Sequence, residues 1–529
     1  MTNNINKKPY VRKQAVILIH GIGDQRPMDT LRRFVNSVLG KSRIPNQSSY
    51  WSKPDTLSES FELRRLQTVN RRVKTHFYEF YWAHEIQDSK LSDLWSWLKV
   101  LLKRRWSDVP QSIRKLWLTT WIIVGLSLTC LTVITMLTLF ESLRPDFWPS
   151  NMPALPFTVP LLLLSIQAFI LAYVGDAARY LSPQPRNISC RHAIRSAGVK
   201  LLTRLHKSGE YDRIVVVGHS LGSVIGYDIL RHTWHKFNTQ HGAPTKTCHK
   251  ALDRGERFGV ELLKSAVSAE SNKSDLNKAR YTYRNCQRSL WLEQRYQRLP
   301  WLVTDFITLG SPLAHAELLM ANNASDFEQK KCQRELPLCP PVMEGNPPSR
   351  FSYSLDYQDN NGAKRTIRVL HHAACFAVTR WTNLYYPSSW LWKGDFIGGP
   401  LAEVFGPGIL DVPVSTKAWR GFFSHNFYWQ MDNRDASSDD APIKQLRKAL
   451  DLDCRDLLTG ALDNVSKQLQ QDFVLHWQSP DLSTMVKQKT PFGSKLPGQS
   501  SKVQTRSESP EIIKKQGVRQ PEKTDAPDA

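Results

Sequence analysis

At 529 residues the chain can bury a large core, in two or three domains or in one elaborated domain, which excludes a small disulfide- or metal-stapled module. Its 71 Lys and Arg against 48 Asp and Glu give a formal charge of +23, an excess that suits phosphate partners, either nucleic acid or anionic lipid. The basic residues are spread over the N-terminus, the Lys99–Lys115 and Arg186–Lys207 regions and the tail with no nucleic-acid-binding motif among them, so a membrane is expected and nucleic acid is not.

The eight cysteines make no C-x-x-C spacing and read as free thiols of a reducing compartment. Met1–Tyr10 is polar and basic without a signal-peptide core, which predicts a cytosolic soluble part. Ala15–His20 reads as a buried strand and runs into the Gly-rich turn His20-Gly21-Ile22-Gly23-Asp24-Gln25; Val73–Tyr81 reads as a second strand. Leu116–Phe140 then carries no charge over 25 residues. As a helix it would span about 37 Å, more than the roughly 30 Å core of a bilayer. A second uncharged stretch, Phe147–Gly175, predicts another span over 157–174, with Pro160 in its first turn.

The flanks orient this hairpin. Lys99, Lys103, Arg104, Arg105, Arg114 and Lys115 precede it, Arg179, Arg186, Arg191, Arg195 and Lys200 follow it, and the connecting loop holds only Glu141, Arg144 and Asp146. The positive-inside rule puts both flanks, the N-terminus and the remaining domain in the cytoplasm, beside anionic headgroups.

Beyond the hairpin, Ile194–Leu205 has helical spacing and leads into the strand Arg213–Val217. Gly218-His219-Ser220-Leu221-Gly222 follows directly, and Ser223–Leu230 is compatible with a helix. Strand, sharp turn, helix is the context of a nucleophile elbow, where glycine is needed at both flanks because a side chain there would meet neighbouring backbone. His235–Arg298 is long, polar and charge-rich and predicts a surface insertion or lid. Val303–Leu309 and Ala373–Val378 read as further strands, and 479–529 as a disordered tail. The alternation of strands and helices predicts an α/β class with a mostly parallel sheet and helices on both faces, interrupted by the hairpin. The domains are then 1–113 and 177–478 as two parts of one unit, the second carrying the insertion at about 235–298, with the hairpin at 114–176 between them.

A nucleophilic serine needs a base, an orienting acid and donors for the oxyanion. The amide of Leu221, with that of Ile22 or its neighbour Gly21 in the His-Gly turn, would form a two-donor hole. His20-Gly21-Ile22-Gly23, Gly218-His219-Ser220-Leu221-Gly222 and Thr308-Leu309-Gly310-Ser311-Pro312-Leu313, in that order, resemble the α/β-hydrolases of the lipase and serine-esterase type over roughly 15–80 and 188–429. Ser223 departs mildly from the Gly or Ala of many lipases.

The resemblance implies the order Ser, then Asp or Glu, then His. It directs the search to Asp395, in the Gly-flanked loop after a late strand, with Asp305 and Asp411 as rivals. The base implied is His425, between aromatic residues thirty positions later; His315, His371 and His372 are the rivals, and His219 should turn its side chain away from the serine. These residues imply an acyl-enzyme on Ser220 and a membrane-anchored esterase or lipase acting on an ester, lipidic in kind. A scaffold without activity, or an acyltransferase or thioesterase using the same triad, are the alternatives. No metal or organic cofactor is implied.

Overall fold

Ala15–Ile19 and Ile214–Val217 are continuous apolar runs without polar alternation, the pattern of parallel strands covered on both faces. They form β1 (Lys13–Ile19) and β5 (Arg213–His219), which are adjacent and parallel with Ile19 opposite Gly218. Between them in the chain come β2 (Trp51–Pro54), β3 (Arg64–Asn70) and β4 (Val73–Phe80); after them come β6 (Val303–Leu309), the separate hairpin β7 (Ser352–Gln358) and β8 (Lys364–Leu370), then β9 (Arg380–Tyr385) and β10 (Leu410–Pro413). Among the described residues of this computed structural model, eight strands make one sheet in the order β10-β9-β6-β5-β1-β4-β3-β2. Every pairing from β10 to β4 is parallel, and β3 and β2 extend the edge antiparallel.

The structure describes residues 13–21, 26–40, 48–58, 61–70, 73–85, scattered positions between 114 and 136, residue 180, and 185–455 apart from 242–248, 269–272, 346–348, 359–361, 389–393, 396, 417–420 and 431–437.

Side chains alternate across a strand, so Ala15, Ile17 and Ile19 enter one core while Val16 and Leu18 enter the other. The second core is closed by α1 (Asp29–Leu39), through Leu31, Phe34, Val35 and Val38, whose spacing is that of one helix face. The first is closed by α2 (Pro185–Lys207), α3 (Leu221–Phe237), α4 (Lys250–Val267) and α5 (Lys273–Tyr296). A last helix, α6 (Pro442–Leu450), adds Ile443, Leu446 and Leu450 beside α1. Helices therefore cover both faces of the sheet.

Two expectations are corrected. The segment 235–298, predicted as a surface insertion or lid, supplies α4 and α5, and α5 is part of the core: Gln287, Arg288, Glu293 and Gln294 are each exposed by 2% or less. Its charges are matched inside, Arg288 against Asp305 at 2.7 Å and Glu293 against the Ala251 and Leu252 amides in the first turn of α4. Charge density along α5 thus marks internal ion pairing where a solvated face was expected. Ala373–Val378, predicted as a strand, ends in a short buried helix, Cys375–Val378, and the strand begins at Arg380. Ala-Ala-Cys-Phe-Ala lacks the β-branched residues that favour a pleated strand.

Among the described residues no helix is long and apolar enough to cross a membrane. The predicted span 157–174 lies outside the described residues, as does much of 116–140 and all of the predicted tail. The described positions between 114 and 136 have helical backbone, and Leu118, Trp121, Ile122, Leu126, Leu128, Val133 and Met136 among them are 41% to 59% exposed.

Candidate active site

From β1 the chain builds the sheet towards β4 on one side, and from β5 through β6 to β9 and β10 on the other. The direction reverses between β1 and β5, and a ligand crevice in an open α/β sheet forms beyond the carboxyl ends of the strands at such a point. His20 and Gly21 leave β1 there, and Ser220 leaves β5.

Ser220 has φ 53° and ψ −130°, and α3 begins at the next residue. Few non-glycine residues adopt positive φ, and here close approach enforces it. A Cβ on Gly218 would lie 2.5 Å from the Ser223 Cα, and one on Gly222 2.2 Å from the Ile19 carbonyl oxygen. The turn is held by a chain of hydrogen bonds. The Ser220 amide donates to the Leu309 carbonyl at 2.9 Å, and the Ser220 carbonyl accepts from the Ser223 amide at 2.9 Å and the Ser223 hydroxyl at 2.6 Å. The Ser311 hydroxyl lies 2.6 Å from that of Ser223 and accepts from the Leu313 amide. Ser223 is therefore a buttress of the turn, and Ser311 stands behind it.

Asp395 and His425 meet at the same edge of the sheet. His425 Nδ1 lies 2.8 Å from Asp395 Oδ2, both side chains being buried. The Tyr428 hydroxyl donates to the same oxygen at 2.7 Å, and the Ile397 amide to Oδ1 at 2.9 Å. Burial alone would raise the Asp395 carboxyl, but the opposing charge of His425 and the bonds from His425, Tyr428 and the Gly398 amide outweigh it and hold the pKa at about 2. Gly310 makes room for the pair: its φ is +57°, and a Cβ there would stand 2.7 Å from Asp395 Oδ2 and 3.0 Å from His425 Nδ1.

The rival residues have other work. Asp305 is clamped between Arg213 and Arg288, and Asp411 accepts from the Leu401 and Ala402 amides and from Asn383. His371 bonds the Val342 carbonyl, His372 is exposed, and His315 sits in a 3-10 turn after Gly310. The side chain of His219, expected to turn away from the serine, lies against the base, with ring centroids 5.0 Å apart and Nε2 2.9 Å from the His425 carbonyl. Burial, and then the charge of His425, lower its pKa to about 3, so the ring is neutral and donates from Nε2 to that carbonyl.

Leu221 opens α3, and a helix leaves its first amides without internal acceptors. Gly21 packs against the elbow: a Cβ on Gly21 would be 2.8 Å from the Ser220 Cβ. Ile22, the other expected donor, lies outside the described residues. The turn is fixed from behind by His20, whose Nδ1 lies 2.7 Å from the Gly21 carbonyl, whose own carbonyl accepts from Trp82 Nε1 at 3.0 Å, and whose ring stacks on Trp82 at 5.1 Å. Burial lowers the His20 pKa to about 4. Nothing in the sequence marked Trp82, because its partner is 62 positions away.

A positive-φ serine opening a helix, with a buried imidazole–carboxylate pair whose imidazole lies against the neighbouring His219, is a set of groups suited to nucleophilic acyl transfer. Among the described residues no group of three or more His, Cys, Asp or Glu side chains gathers as a metal site, and Cys190, Cys286, Cys332, Cys339, Cys375 and Cys454 are free thiols. Compared with models of known protein families, with curated proteins and with solved structures, the chain matches none.

Proposed function

We propose that this chain is a serine hydrolase of the α/β-hydrolase type, of the esterase or lipase kind, attached to a membrane by a two-span hairpin and cleaving an ester, lipidic in nature, through an acyl-enzyme on Ser220. The observation that carries the reading is the positive-φ Ser220 elbow together with the hydrogen-bonded Asp395 and His425, the base lying against His219 of that elbow.

In this mechanism Ser220 Oγ attacks the ester carbonyl while His425 Nε2 takes its proton. Asp395, kept ionised by its neighbours, holds Nδ1–H and stabilises the imidazolium as it forms. The amides of Leu221 and Ile22 receive the oxyanion of the tetrahedral intermediate. His425 returns the proton to the departing alcohol, then activates a water that releases the acid and frees the serine.

Membrane attachment is supported by the uncharged stretches, by the basic residues that flank them, and by the exposed apolar side chains of the described helical positions between 114 and 136. Catalytic domain and N-terminus would share the cytoplasmic side, where an amphipathic ester concentrates at anionic headgroups. The test is labelling of membranes from expressing cells with a fluorophosphonate probe, followed by a chain-length series of p-nitrophenyl esters. Wild type should label and Ser220→Ala should not; equal labelling of the two would end the proposal.

A further inference from the structure

We infer that Tyr428 is a positioning residue for this triad, whose hydroxyl both aims Asp395 at the base and draws off part of the carboxylate's charge. The inference rests on the serine-hydrolase reading and adds a residue that neither the elbow nor the family order points to.

His425 Nδ1 and the Tyr428 hydroxyl compete for one oxygen, Asp395 Oδ2, at 2.8 and 2.7 Å, while Oδ1 accepts from the Ile397 amide at 2.9 Å. The direction of the phenol proton is fixed by its other contact. The Tyr386 amide donates to the Tyr428 oxygen at 3.3 Å, so the single hydroxyl proton goes to Asp395. Burial, and then the charge of Asp395, raise the phenol's pKa well above its usual value, so it remains a donor wherever the site can work. The ring is fully buried and boxed by Tyr386 at 5.0 Å, His219 at 6.0 Å and His425 at 6.4 Å, edge-on to the last. Among the described residues, these three and Asp395 are the titratable groups facing it.

The contact also spans two loops. Asp395 lies beyond β9 and His425 lies beyond β10, and Tyr428, three residues after the base, reaches back to the acid and to Tyr386. A rotation of the carboxylate about its Cβ–Cγ bond would break both bonds at Oδ2 together. The phenol thus restricts the acid to the rotamer in which the imidazole keeps its Nδ1–H tautomer.

The same geometry makes the phenol a brake on basicity. A hydrogen bond into Oδ2 spreads the negative charge that would otherwise face the imidazolium alone. Removing it should favour the imidazolium and carry the acid limb of activity to higher pH. A residue that only filled space would leave the limb where it is.

Tyr428→Phe keeps the ring and removes the hydroxyl. With p-nitrophenyl butyrate, kcat should fall roughly tenfold at little change in KM, and the acid limb of kcat/KM should rise by about half a pH unit. Site-specific 3-fluorotyrosine at 428 keeps the fold and is a stronger donor, so its limb should move to lower pH. Opposite displacements of the two limbs are the expected result. Profiles of the fluorotyrosine protein and of any folded Tyr428→Phe that superimpose on wild type would overturn the inference. Fluorophosphonate labelling separates the two levels: absence of Ser220-dependent labelling in wild type defeats the hydrolase reading, whereas labelling with unmoved limbs defeats only the role of Tyr428.

Discussion

Replacing Ser220 with glycine should stabilise the protein while silencing it. Ser220 is held at φ 53° and ψ −130°, where its Cβ is crowded by backbone, and a non-glycine residue in such a sparsely populated region costs about 1–3 kcal/mol. Alanine at 220 removes the proposed nucleophile but keeps the Cβ and therefore the strain. Glycine relieves the strain and pays about 0.5–1 kcal/mol in unfolded-chain entropy. Taking the centres of these ranges puts Ser220→Gly about 1.2 kcal/mol above Ser220→Ala in stability. Urea unfolding followed by tryptophan fluorescence reads this as a midpoint higher by about 0.4 M at equal slope, taking a slope of about 3 kcal/mol/M. A glycine variant that unfolds at or below the midpoint of the alanine variant would refute the view that the elbow stores strain.

Asp395→Asn should leave circular dichroism unchanged and lower kcat/KM for a soluble ester by about 10⁴, because an amide no longer enforces the Nδ1–H tautomer. Asp305→Asn should behave in the opposite way. With Arg213 and Arg288 buried and short of their carboxylate, it should cost about 3–5 kcal/mol of stability, yet turnover per titrated active site should match wild type. Glu79 accepts from the Met28 amide at 2.6 Å beside the start of α1, and burial pushes its pKa up to about 7. A folded-state pKa above the unfolded value means stability that is fully present below about pH 4.5 and is lost as pH rises through 7. Glu79→Gln should therefore gain on the order of 1–3 kcal/mol over wild type at pH 8 and little at pH 5, read by thermal unfolding at the two pH values.

What could be read in sequence was what lies close together in it. The run Ile214–Val217 followed by two glycines around Ser220 announces strand, turn and helix because those constraints are local. Chain order and a Gly-flanked loop led to Asp395 and His425, which the structure joins by a hydrogen bond. The supporting contacts span too far to leave a local trace: Tyr428 and Asp395 are 33 positions apart, and Ser223 and Ser311 are 88 apart. Charge misled at α5, where Arg288 and Glu293 look solvated by composition and are buried by pairing. Hydrophobicity misled at Ala373–Val378, since a short apolar run of small residues serves a buried helical turn as well as a strand.

The place of β1 in the sheet has a consequence for synthesis. It precedes the other described strands in the chain and sits in the interior of the sheet, where its residue Gln14 meets Arg213, 199 positions further on. While the ribosome produces the intervening chain, including both uncharged stretches, a strand whose last five residues are aliphatic has no partner on its β5 side. High contact order of this kind slows folding and exposes nascent chains to aggregation, so efficient expression should depend on chaperones that bind the first hundred residues. The proposed chemistry would also be switched on last. The elbow, the acid and the base cannot assemble until His425 has emerged, by which time any insertion of the uncharged segments is complete.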